Sequence, residues 1–263
     1  MTKAVFIDVD GTLGIKSEDS LSYNLKVINE LRKQGHKIFL NTGRTSVFLP
    51  KQIDYEKNFD GAVLGNGSHI IINGKTIFSE FMDKDFLLKS FELCLKNNLQ
   101  MSYEGDDNII YRFDKDIWHD NWVKIESEAE FKKYLDNYKY RKITYKGIID
   151  DCLEFESLSE NIKVEPMGMY DGKQVAAGEI IIKNTGKDMG IKRVIDNLGI
   201  KREDTIAIGD SMNDYHMIKY AEIGVAVGNA EQKIKDIADI ITEDCNNSGV
   251  GKALEKIFGG NMI

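Results

Sequence analysis

Cysteine is scarce and scattered in this chain: Cys94, Cys152 and Cys245 are the three among 263 residues, and no Cys-x-x-Cys spacing occurs. An odd, widely spaced set supports neither a disulfide framework nor a structural zinc site, so buried or idle thiols are expected. Histidine is equally thin. His36, His69, His119 and His216 stand apart from one another, and satisfied or exposed side chains are the expectation for all four. No apolar run reaches the length that spans a bilayer, and the N-terminus enters a strand pattern by the third residue instead of offering a secretory leader. A cytoplasmic protein with no membrane partner is expected. Positive charge is also in deficit: the net charge of −8 argues against a chain whose main work is gripping nucleic acid phosphates. Two cofactor signatures are missing as well. Gly65-Asn66-Gly67 is not a dinucleotide fingerprint, and Lys187 is not a Walker lysine, because Asp188 stands where Ser or Thr is required.

What is present is an ordinary globular composition, 42% hydrophobic and 30% charged. The length allows one large domain or a core with an inserted second one. The organising stretch is KAVFIDVDGTL, residues 3–13. Its short apolar run, rich in β-branched and aromatic residues and closed by a glycine turn, predicts a strand buried on both faces. Asp8 and Asp10 are two apart, so strand geometry sends both carboxylates to one side. Two such charges repel unless a cation lies between them, and a divalent metal is the simplest neutraliser. The same residues are also a common turn composition; the rest of the chain separates the two readings.

Leu21, Leu25, Ile28 and Leu31 mark one face of a helix ended by Gly35, and residues 36–44 form a second apolar run stopping at Thr42-Gly43-Arg44. Strand, helix, strand in this order predicts a right-handed parallel unit, with ligands beyond the carboxyl ends of the strands. Residues 59–67 repeat the form, and Asn73-Gly74 signals a hairpin. From about residue 81 the texture changes to helices at Phe86–Leu95 and Glu128–Tyr138 and antiparallel strands, among them residues 101–103, 109–113, 142–149, 162–170 and 179–183. Residues 142–149 alternate as a half-buried strand does, and Asp171-Gly172 is a hairpin-type turn. Trp118 and Trp122 are four apart, as on one helix face. Parallel texture returns with a helix through Ile191, Val194, Ile195 and Leu198, a strand at 205–208 running into GDSMND, strands at 223–227 and 238–242, and a last helix through Ala253 and Ile257. An α/β protein is predicted: a Rossmann-like core with a parallel sheet over residues 1–81 and 185–263, and an inserted α+β unit over 82–184.

Four strand ends thus carry polar residues toward one edge of one sheet: Asp8 with Asp10, Thr42 with Gly43, Gly65–Ser68, and Asp210 with Asp214, joined by Lys187. Carboxylates from two strands suit Mg²⁺, which takes oxygen ligands and shares its shell with substrate phosphate. A hydroxyl, glycine-turn amides and a lysine suit a phosphoryl group. The chemistry indicated is phosphoryl transfer.

In that order, DVDGTL, NTGR, the lysine of NTGKDMG and GDSMND resemble the haloacid dehalogenase superfamily. GVAVGNA and NNSGVGKAL resemble its Cof-like group, which carries the larger α/β cap. The resemblance implies a phosphatase in which Asp8 attacks phosphorus and Asp10 acts as acid and then base. It implies Mg²⁺ held by Asp8, the Asp10 carbonyl and Asp210. Thr42, the Gly43 amide and Lys187 would bind phosphate oxygens, with Asn213 close by and Asp214 orienting from behind. The partner implied is a small phosphomonoester, and the chain is expected as a monomer or small homo-oligomer. A sugar phosphomutase and a non-catalytic phospholigand sensor remain as alternatives, although Asp10 favours turnover by water. Arg44 is left without a role. Tyr103, Arg112 and Trp118 are the first cap residues to consider for substrate selection.

Overall fold

The computed structural model describes residues 2–113, 121–148, 154–170 and 175–260. The chain divides into two compact units, one of Met1–Arg44, Leu49–Ser79 and Gly186–Ile263, the other of Thr45–Phe48 and Glu80–Thr185.

The larger unit begins with β1 (Ala4–Ile7), α1 (Glu18–Lys33), β2 (Lys37–Asn41), α2 (Tyr55–Asn58), β3 (Gly61–Leu64), β4 (His69–Ile72) and β5 (Lys75–Ser79). Helix α1 starts where Ser17 accepts from Ser20 N–H, has Glu18 and Asp19 in its first turn and Arg32 and Lys33 in its last, and so meets its own dipole favourably at both ends.

The smaller unit comprises α3 (Lys84–Lys96), β6 (Gln100–Gly105), β7 (Ile109–Arg112), β8 (Trp122–Lys124), α4 (Glu128–Leu135), β9 (Tyr140–Ile148), β10 (Ile162–Tyr170) and β11 (Val175–Ile182). The larger unit then resumes with α5 (Lys187–Leu198), β12 (Thr205–Gly209), α6 (Tyr215–Tyr220), β13 (Ile223–Ala226), α7 (Gln232–Lys235), β14 (Ile240–Ile241) and α8 (Gly249–Phe258).

Its sheet runs β14-β13-β12-β1-β2-β3-β4-β5. The strands from β14 to β3 are parallel, and β4 and β5 return antiparallel through the Asn73-Gly74 turn. Both central residues of that turn have positive φ, as the hairpin signal requires. Strands β1, β3 and β12 are buried along their whole length, with α1 packed on α8 and α5 on α6. Each buried Ile, Val or Phe contributes about 1.5–3 kcal/mol. At the edge, Ile240 and Ile241 are the ladder partners of β13, flanked by Asp239 N–H and Thr242 N–H donating to Gly224 O and Ala226 O at 2.8 and 2.9 Å.

The smaller unit has a sheet ordered β10-β11-β9-β6-β7-β8, antiparallel except for β7 with β8. Alternate strand residues Met101, Tyr103, Ile143, Tyr145, Ile180 and Ile182 pack with Phe86, Phe91 and Phe131 of α3 and α4. One expectation is corrected here. Trp122 opens a strand, with its ring edge-on to Phe48 at 5.2 Å, not a helix face. Residues 142–147 of β9 alternate as expected, with Ile143 and Tyr145 buried, Thr144 half-buried and Lys146 exposed; Lys142 is the exception, buried with Arg141 because both are ion-paired inside the unit. Trp118, His119, Cys152 and the Asp171-Gly172 turn lie outside the described residues. Segment Thr45–Phe48 is held within this unit: Ser46 Oγ donates to Asp106 Oδ1 at 3.1 Å. Asp106 in turn takes both Nε and Nη2 of the buried Arg141, at 2.8 and 2.6 Å.

Candidate active site

Asp8 follows β1 directly, and its N–H still donates to Ile208 O at 3.0 Å, so the ladder with β12 carries it to the sheet's carboxyl edge. Its side chain is buried. Lys187, the first residue of α5, meets it there: Nζ donates to Asp8 Oδ1 at 2.7 Å, to Asp214 Oδ1 at 2.5 Å and to Asn213 Oδ1 at 3.3 Å. The helix start is pinned by Asn41, whose Nδ2 donates to Lys187 O at 2.9 Å. A lysine with a side chain 1% exposed is tolerable only with such partners. Burial works against its ammonium, but Asp214 and Asp8 more than offset this and leave its pKa above the ordinary lysine value.

Asp210 follows β12 and accepts from Thr12 Oγ1 at 2.9 Å. Asp214 is fully enclosed, and its second oxygen accepts from the N–H groups of Asp210 and Ser211 at 2.9 and 3.2 Å. Two glycines make room for these acids. A Cβ on Gly11, at φ +75°, would meet Asp210 Oδ2 at 2.3 Å, and one on Gly209 would meet Asp214 Cγ at 2.6 Å, distances no side chain can occupy. Thr42 is buried; its N–H donates to Val63 O at 2.9 Å, and its hydroxyl accepts from Arg44 N–H at 3.2 Å. Gly43 lies between them at the end of β2. Asp10 turns outward, and Arg44 grips both of its oxygens at 2.6 Å.

The electrostatics show an excess of negative charge. Burial pushes the Asp8 carboxyl well above the usual aspartate range, with Lys187 pulling it back and Asp214 and Asp210 adding to the rise. Burial, reinforced by Asp214, pushes Asp210 up to about 6. Four carboxylates, Asp8, Asp10, Asp210 and Asp214, face two cations, Lys187 and Arg44. The difference is the charge of one divalent ion. Asp8, Asp210 and Asp214 each bring an oxygen within 4.8 Å of the others, and an all-oxygen donor set suits a hard divalent cation. The residues present therefore fit a metal.

All the residues singled out for phosphoryl transfer thus lie at one edge of the larger unit's sheet. The carboxylate cluster includes Asp214 and not the side chain of Asp10. Thr12 carries no expectation and Arg44 is left without a role, although both stand inside the quoted motifs, in DVDGTL and NTGR. Of the cap residues, one is corrected. Tyr103 is fully buried, with its ring 4.6 Å from Phe131 and its hydroxyl 3.2 Å from Ser90 Oγ, a packing residue. Arg112 is half-buried, donates to Leu99 O and Asn98 Oδ1 just beyond α3, and lines a cavity with Phe113, Lys124 and Glu126. Trp118 lies outside the described residues.

Comparison with known proteins places this geometry in a family. A 5-amino-6-(5-phospho-D-ribitylamino)uracil phosphatase of Bacillus subtilis is 28% identical over 253 residues, 96% of this chain and 94% of its own. Phosphoglycolate phosphatase 1 of Saccharolobus solfataricus is 26% identical over 265 residues, covering 100% of this chain and 98% of its own. Among solved structures, a subclass IIB sugar phosphatase of the haloacid dehalogenase superfamily superposes with a TM-score of 0.78 at 26% identity, covering 100% of both chains. The family model for haloacid dehalogenase-like hydrolases matches residues 5–254, and the chain belongs to that family, as one of its phosphatases.

Proposed function

We propose that this protein is a Mg²⁺-dependent phosphatase of small phosphomonoesters, such as sugar phosphates, nucleotides or phosphorylated cofactors, working through an aspartyl-phosphate on Asp8. The observation that carries the reading is the buried Asp8–Lys187–Asp214 cluster, with Asp210 and its uncompensated charge beside it. Lys187 holds the Asp8 carboxylate in one orientation, so the nucleophile meets phosphorus without rearranging. Thr42, the Gly43 amide and Lys187 bind the phosphate oxygens, and Asn213 and Asp214 keep the Lys187 ammonium in place. Asp10 gives a proton to the departing alkoxide and takes one from the water that releases phosphate. Mg²⁺, held by Asp8, the Asp10 carbonyl and Asp210, would neutralise the anionic phosphate and its approach to a carboxylate. The inserted unit selects the organic part of the substrate. The ribitylamino-uracil, sugar and glycolate phosphatases among the relatives support a hydroxylated or carboxylated small ester.

The test is phosphate release from a panel of sugar phosphates, nucleotides, pyridoxal phosphate, flavin mononucleotide and p-nitrophenyl phosphate, with Mg²⁺ or EDTA, for wild type and Asp8→Asn. Metal-dependent release that disappears in the variant is the expected result. Release that survives either EDTA or the substitution overturns the reading.

A further inference from the structure

Arg44 holds Asp10 through two bonds at once: Nε to Oδ2 and Nη2 to Oδ1, both at 2.6 Å. One guanidinium takes both oxygens of one carboxylate, an arrangement that fixes direction as well as distance. Asp10 has need of it. It lies in the turn after β1 with its side chain 54% exposed, where several rotamers are open to it. A group that must stay within hydrogen-bond reach of a moving proton gains from losing them.

Arg44 is itself anchored through its backbone. Its N–H donates to Thr42 Oγ1 at 3.2 Å, and its carbonyl accepts from Gly65 N–H at 2.8 Å. The residues following three adjacent parallel strands, β1, β2 and β3, are thus tied in sequence from Asp10 through Arg44 to Gly65. An exposed ion pair contributes only about 0–1 kcal/mol to stability, so folding gives little reason for this construction.

We propose that Arg44 is a positioning residue: it fixes the Asp10 carboxyl for proton transfer and acts on the reaction through Asp10, not by binding the substrate phosphate. This rests on the acid–base reading of Asp10. A double-mutant cycle tests it, with Arg44→Gln, Asp10→Asn and the combined variant measured on a sugar phosphate and on p-nitrophenyl phosphate, alongside thermal unfolding. Proton transfer by a positioned side chain supplies roughly 10²- to 10⁴-fold. Arg44→Gln should therefore lower kcat on the sugar phosphate by about tenfold or more, with a smaller loss on the nitrophenyl ester and KM little changed. The combined variant should be no slower than Asp10→Asn alone. Arg44→Lys should restore little, because an ammonium cannot span both oxygens, whereas guanidinium ion added to Arg44→Ala should restore part of the rate.

A rise in KM on both substrates with additive losses would make Arg44 a phosphate ligand and overturn the proposal. An unchanged kcat, or an equal loss on both substrates that tracks a lowered unfolding midpoint, would overturn it as well. Should Asp10→Asn itself slow both substrates equally, the acid–base reading falls and takes this proposal with it. Discrimination by Asp10→Asn without discrimination by Arg44→Gln sinks the positioning role alone.

Discussion

Each unit of the molecule buries a lysine between two carboxylates, and the two clusters have different surroundings. In the larger unit Lys187 lies between Asp8 and Asp214, all three side chains at most 5% exposed. In the smaller, Lys142 lies between Glu104 and Glu179, at most 7% exposed. Burial raises the carboxyl pKa in both, at Asp8 and at Glu104, with the lysine opposing it. The origins differ. Glu104 and Lys142 are direct partners across β6 and β9, and Glu104 also accepts from the hydroxyls of Thr144 and Ser102. These are neighbours within one sheet, answering one another. Asp8, Lys187 and Asp214 come from a strand end, a helix start and a loop, and beside them stands Asp210, whose charge Lys187 alone cannot balance. Burial, pairing and shifted pKa values are thus common to both clusters. What differs is that the larger unit's groups converge from separate elements at strand ends, whereas the smaller unit's are neighbours in one sheet.

The comparison can be pressed from both sides. The largest effect should come from Asp8→Asn, which should cut turnover by about 10³-fold or more while leaving the unfolding midpoint in EDTA unchanged or higher, since a buried charge is removed. Lys142→Met should do the reverse. Stranding Glu104 and Glu179 should cost about 3–5 kcal/mol in urea unfolding, with turnover of p-nitrophenyl phosphate by the folded fraction kept, and adding Glu104→Gln and Glu179→Gln should recover most of the loss. Turnover abolished at unchanged stability would give the smaller unit's cluster a chemical role and erase the contrast.

A smaller effect separates the clusters by pH. Asp210 holds its proton up to about 6 in the folded metal-free protein against roughly 3.9 unfolded. Between those values the folded state binds more protons, so this group's contribution to stability falls as pH rises through the window. In EDTA, wild type should lose stability from pH 4 to 6 more steeply than Asp210→Asn, and Mg²⁺ affinity should weaken below about pH 6, where protons compete for the carboxylate. The smallest effect is expected from Tyr103→Phe: about 1 kcal/mol of stability for the bond to Ser90, and no change in KM for any substrate.

Much of the larger unit was legible in the sequence because its strands are buried on both faces and read as unbroken apolar runs ending in polar residues. Asp8, Asp210 and Lys187 could be found for the same reason, each standing at the end or start of an element that periodicity delimits. Arg44 could not be placed so, because its role depends on the reach of a long side chain from the end of β2 to the turn after β1, and nothing local distinguishes it from a surface arginine. Tyr103 misled in the opposite direction. A polar-tipped residue in an inserted unit resembles a ligand contact until one sees that the Tyr103 ring completes an aromatic cluster.

The grouping of Thr45–Phe48 with the smaller unit sets a boundary for anyone who would move that unit between proteins. The polypeptide passes from one unit to the other four times, at 44/45, 48/49, 79/80 and 185/186, so the exchangeable cassette is discontinuous. A graft of residues 80–185 alone would leave Ser46 without the Asp106 carboxylate and Phe48 without the edge of Trp122. The recipient would have to accept four further residues in the segment that directly follows Arg44, and the smaller unit would thus travel in two pieces.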